Sequence, residues 1–92
     1  MARLVHEIWF DADGLPCCVL AGPRGDDARR AFLSNRGRRV DTFEAGSHLE
    51  AMTYYHRYLG REPYTSSFPQ EDSAPYPEEW LRQQRSGTEF HE

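Results

Sequence analysis

The sequence predicts an α+β fold in the order ββαβα. It is read as a small three-stranded sheet with its helices packed on one face, followed by a proline-rich C-terminal segment with a short terminal helix. Three features carry this reading. Residues 4–10 carry an apolar face at alternate positions (Leu4, Ile8 and Phe10, shared with His6), as a half-buried strand requires. Ser47 and Glu50 stand at the spacing of a capping box ahead of a helical apolar stripe. Beyond Arg61 the composition changes, and four of the six prolines (Pro63, Pro69, Pro75, Pro77) fall there.

In the first strand Leu4, Ile8 and Phe10 share a face with His6, while Val5, Glu7 and Trp9 occupy the other. The stretch Asp11-Ala12-Asp13-Gly14 reads as a turn in which glycine supplies a positive φ. Residues 15–21 are apolar on both faces and read as a more buried strand, with Pro16 near its start where a missing donor is tolerated. A helix is expected over 27–36, with Asp26 as its cap and Gly37 as its stop. Residues 39–44 read as the third strand through the β-formers Val40, Thr42 and Phe43. In the second helix His48, Ala51, Met52, Tyr55 and Leu59 fall on one stripe, closed by Gly60. A crossover through the first helix makes strands two and three parallel in direction, which gives the spatial order 2-1-3.

The expected organisation is a compact core over 1–61, a proline- and aromatic-rich segment over 62–85 docked on that core, and a disordered tail over 86–92. Residues 61–92 hold 5 of the 12 aromatics, more than a linker needs, so they are expected to find a surface. Residues 76–85 carry the terminal helix, with acids at its start and arginines toward its end.

Charge and cysteine content exclude several function classes. The chain is 92 residues long with a net charge of -4, and all 11 of its basic residues are arginine. An acidic chain is poorly suited to a phosphate backbone, so nucleic acid is disfavoured even though Arg29, Arg30, Arg36, Arg38 and Arg39 cluster in sequence. No stretch approaches the roughly 18 apolar residues of a membrane span, and the N-terminus lacks a secretory pattern, so no membrane partner is expected. Cys17 and Cys18 are adjacent and cannot bridge each other without strain. That fits a reducing, cytoplasmic setting.

Candidate chemistry is sparse. The Asp11–Asp13 pair lacks the ligands and glycine spacing of a calcium loop. Gly22-Pro23-Arg24-Gly25 places Asp26 and Asp27 where a phosphate would sit. No cofactor is expected, and catalysis is not. The leading expectation is a small interaction or accessory module that binds a protein partner or forms a weak homodimer. Its binding residues would be Trp9, Tyr54, Arg57, Tyr58 and Trp80, because Trp, Tyr and Arg dominate interface energetics. Val5 and Trp9 face away from the Leu4–Ile8 side and need a cover, either the C-terminal segment or a second copy. The alternative is a small-molecule or metal-binding protein, or a minor enzyme, using His6, Cys18 and His48. In the leading reading His48 packs at the core edge.

The segments GLPCCVLAGPRGDDAR (14–29) and TFEAGSHLEAMTYY (42–55) resemble a family of small bacterial proteins of uncharacterised activity. The resemblance runs from the hairpin through Tyr64-Thr65 and the segment beyond it. It implies a bacterial cytoplasmic origin and no particular chemistry.

Overall fold

A computed structural model describes residues 2–34 and 36–90. The elements are β1 (Leu4–Phe10), β2 (Pro16–Leu20), a 3-10 turn (Pro23–Gly25), α1 (Asp26–Ser34), β3 (Arg38–Ala45), α2 (His48–Tyr58), the single-turn α3 (Pro69–Asp72) and α4 (Glu78–Phe90). This is a small α+β fold whose three-stranded sheet is antiparallel throughout, in the order β2-β1-β3.

The hairpin between β1 and β2 closes on Asp11. Its carboxylate accepts from the backbone N–H groups of Asp13 and Leu15, both at 2.9 Å, and Gly14 takes φ 81. That is a turn's use of an aspartate, a side chain standing in for backbone acceptors. After β2 the chain turns sharply, and Gly25 is buried against Leu20. A Cβ there would stand 1.8 Å from the Leu20 carbonyl, so only glycine fits.

The helices divide between both faces of the sheet, which corrects the expectation of a single covered face. α2 lies on the even side of β1. Ile8, Phe43, Ala45, Ala51 and Tyr55 form the buried cluster there, with Phe10, Cys18, Val40, Met52 and Leu59 packed against it. α1 lies on the odd side, where its Phe32 stacks on Trp9 with ring centroids 6.0 Å apart. The physical reason is Arg29. It pairs with Glu7 on β1, so that helix binds the sheet through an ion pair as well as through Phe32. Trp9 is therefore covered by α1, not by the C-terminal segment or a second copy.

α2 starts as its capping box predicts. Ser47 Oγ accepts from the Glu50 N–H at 3.1 Å. Glu50 in return reaches one residue further back than the pattern implies, accepting from the Gly46 N–H at 2.8 Å and from Arg3. At the end of α1 the left-handed residue is Arg36 (φ 59), one position before the glycine that the sequence marks as the stop. Gly37 is required for a different reason, since a Cβ would meet the Phe32 carbonyl at 2.7 Å.

The C-terminal segment contacts the sheet at the Leu4 end. Ala2 and Tyr76 form an isolated antiparallel bridge, and the Tyr76 N–H donates to the Gly46 carbonyl. Tyr76 stacks on Trp80, and the Arg24 guanidinium lies 3.8 Å above the Trp80 ring. Gln84 makes the tightest join. Ala21 still donates its N–H to the Val5 carbonyl, and the Gln84 amide takes the place of the return bond between the Val5 N–H and the Ala21 carbonyl. It accepts from the Val5 N–H and donates to both carbonyls, each bond 2.9 Å. α4 continues through Gly87 to Phe90, past the stop expected after 85; residues 91 and 92 of the expected tail lie outside those described.

Candidate interaction surface along the third strand

The odd face of β1 is built around one buried carboxylate. Glu7 is 6% exposed. One of its oxygens accepts from the Trp9 indole at 3.1 Å and lies 3.6 Å from Arg29, and the other accepts from Arg39 at 3.1 Å. Arg29 also donates to the Leu20 and Gly22 carbonyls and pairs with Asp26. A buried charge costs several kcal/mol unless paired and hydrogen-bonded, and here every partner is supplied.

A β-bulge delivers Arg39 to that carboxylate. Strict alternation along β3 puts Ala45, Phe43, Asp41 and then Arg39 on the α2 side. The register instead slips between Ile8 and Trp9: Ile8 pairs with Asp41, and Trp9 pairs with Arg39. Val40 is the extra residue. It stays with the core, and Arg39 swings to the Glu7 side, as a bulge re-aims the chain beyond it.

The same slip aligns the outer edge of β3. In an antiparallel pair, hydrogen-bonded and non-bonded positions alternate. Val5 spends its N–H and C=O on Gln84 and Ala21, toward β2. Its β3 partner Glu44 therefore directs its own backbone groups outward, and the Glu44 carbonyl indeed accepts from Arg3 at 3.0 Å. Alternation makes Thr42 outward as well and, across the bulge, Arg39. These three exposed residues form one evenly spaced row along the edge. Among the described residues nothing outside the ladder bonds the backbone of Thr42. The opposite edge, β2, has only five residues and begins with proline.

Both flanks of the β3 edge offer side chains. On the odd side an open groove of about 490 Å³ runs between the edge and α4; Arg39, Thr42, Glu44, Leu81, Gln84 and Arg85 are among its lining residues, with Glu7 at its floor. On the even side Tyr54 stacks on Phe43 at 3.9 Å and donates to Asp41 at 2.6 Å. Tyr58, one turn on, is 43% exposed, and Arg57 beside it is exposed too. The hydrogen bond to Asp41 raises the Tyr54 phenol above its ordinary value.

The sequence-derived binding residues thus separate. Tyr54, Arg57 and Tyr58 stand together on the outer surface of α2. Trp9 is 7% exposed and bonded to Glu7, and the half-buried Trp80 stacks on Tyr76 with Arg24 over its ring, so both tryptophans already have partners within the chain.

His6, Cys18 and His48 have different surroundings. His6 is 3% exposed. One ring nitrogen bonds the Leu4 carbonyl and the other the Tyr76 hydroxyl, at 2.9 and 3.0 Å, and the ring stacks on Phe43. Burial lowers its pKa. Burial and the neighbouring Cys17 push the Cys18 thiol up to about 12, the behaviour of a thiol packed among apolar side chains. His48 is exposed at the start of α2, edge-on to Tyr64, rather than packed at the core edge. Among the described residues no three His, Cys, Asp or Glu side chains converge to hold a metal.

Arg39, Thr42 and Glu44 were not legible as a site. Their common row depends on the bulge, and nothing in a single strand's alternation announces one. No protein-family model matches the chain, and no curated protein or solved structure is significantly similar to it.

Proposed function

We propose that the chain is a small, non-catalytic interaction module of the bacterial cytoplasm that accepts a strand from a protein partner along β3. The observation that carries this is the outward backbone of Thr42 and Glu44 on an eight-residue edge. An exposed edge of that length is a template for strand addition, in which main-chain bonds give affinity and alternate side chains give specificity. One row of an added strand would meet Arg39, Glu44 and the groove; the other would meet Tyr54 and Tyr58. The unbridged Cys17 and Cys18 support a reducing compartment, and no described helix is long and apolar enough to cross a membrane. Of the sequence's basic cluster, Arg29 and Arg39 are engaged with Glu7 and Arg30 with Asp27, and the net charge of -4 supports a protein over a nucleic-acid partner.

Thr42→Pro tests the reading. Its N–H points away from the ladder, a position at which an edge strand tolerates proline. Peptides selected from a displayed random library on the native protein should lose binding to this variant while its melting temperature is retained. Peptides that bind both proteins equally would place the docking surface elsewhere.

A further inference from the structure

We infer that the strand accepted by β3 is β3 of a second copy of this chain, an inference that rests on β3 being the docking edge. The outward row reads Arg39, Thr42, Glu44: a cation, a neutral residue and an anion, evenly spaced because Val40 is bulged out. Laid antiparallel on itself about a twofold axis at Thr42, the row places Arg39 opposite Glu44 of the second copy at both ends. A parallel pairing would place like charges together. The two Thr42 residues face each other and exchange backbone hydrogen bonds, giving a continuous six-stranded sheet.

The parts required are already in position. Arg39 is 55% exposed at its side chain and bonds Glu7 through one terminal nitrogen only, so its other N–H groups carry no bond to the described residues. The carboxylate of Glu44 forms no ion pair among the described residues. Arg3 covers the Glu44 carbonyl, but it also holds the Glu50 carboxylate at 3.1 Å, so it can release the carbonyl and remain paired. Opposite charges directly across a strand pair attract and like charges repel, which makes the row both a register mark and a safeguard against parallel pairing.

Sedimentation equilibrium of the full chain over roughly 10 µM to 1 mM should give a monomer–dimer equilibrium, with Thr42 amide exchange slowing as the dimer fills. Glu44→Arg, at an exposed position, should weaken the dimer by roughly tenfold or more. Mixing it with Arg39→Glu should restore association, because the two reversed rows complement each other. If Arg39→Glu does not fold for want of its bond to Glu7, the Glu44→Arg result decides alone. A dimer that ignores Glu44→Arg and leaves Thr42 exchange unchanged overturns the inference. A monomer at every concentration with fast Thr42 exchange also overturns it, while leaving the edge open to another protein. Slow Thr42 exchange in the dilute monomer would instead remove the docking edge itself.

Discussion

His6 and Glu7 are neighbours on one strand, both buried, and they face opposite ways. His6 enters a stack that runs from Tyr76 across its own ring to Phe43 and Tyr54, closed over by α2. Glu7 enters a set of charges, with Arg29, Arg39 and the Trp9 indole, roofed by α1 at one end and by α4 at the other. The first face is filled by rings and aliphatic side chains, and only the outer surface of α2 is left to meet a partner. The second is held by directional bonds and leaves a groove along β3. Apolar packing seals a face because it gains by excluding water everywhere. Ion pairs fix only the atoms they join, so a face built on them can stay open.

Breaking the ionic face should cost most. Glu7→Ala takes a buried partner from Arg29 and from the Trp9 indole N–H and frees the exposed Arg39, and the expected loss is about 3 kcal/mol in urea unfolding. A loss below about 1 kcal/mol would mean that the charges are solvated and the contrast between faces is false. Gln84→Ala comes next. It leaves the Val5 N–H and Ala21 carbonyl unpartnered where α4 meets the sheet, for about 2–3 kcal/mol by the same measurement. Faster exchange of amides in α4 should accompany it.

The aromatic face should show itself through pH. Burial sets the His6 pKa below its ordinary 6.5 in the folded chain, so the unfolded chain binds the proton first. Stability contributed by neutral His6 is then complete above pH 6.5 and declines as the pH falls toward the folded value. The Glu50 carboxyl is held below its ordinary 4.5 by the Gly46 N–H and Arg3, so its own contribution is lost only at lower pH, outside this window. His6→Leu should flatten the decline between pH 6.5 and 5 and cost about 1–2 kcal/mol at neutral pH through the unpartnered Tyr76 hydroxyl. A decline that survives the substitution would assign it to another group. Tyr58→Ser, on the open side, should change stability by no more than about 0.5 kcal/mol, and a larger loss would mean that this ring belongs to the core.

The sheet was largely legible in the sequence. The alternation of residues 4–10, the Asp11–Gly14 turn and the crossover rule lead to the order 2-1-3, and Ser47 with Glu50 marks the start of α2. What stayed hidden was set by tertiary partners. Arg29 reads as a solvated helix residue until Glu7 is placed opposite it. Gln84 reads as a surface polar residue, yet it is 7% exposed and completes the ladder between Val5 and Ala21. The apolar stripe of α2 includes His48 by angle, but at the first position of the helix its ring is exposed and meets Tyr64 edge-on. The edge row could not be read at all, because strict alternation sends Arg39 to the wrong face. Tyr54, Arg57 and Tyr58 were legible as an exposed group, because a helix face carrying two tyrosines and an arginine departs from ordinary surface composition.

The central claim is that β3 presents an open backbone edge on the Glu7 side. Residue-resolved amide exchange at high dilution tests it most directly, because Thr42 and Phe43 are adjacent and differ in the direction of their N–H groups. The Phe43 amide, bonded within the β1–β3 ladder, should exchange at least about 100-fold more slowly than that of Thr42. Equal protection of the two amides in the dilute protein would mean that the edge is already covered, and the account of β3 as a docking strand would be wrong.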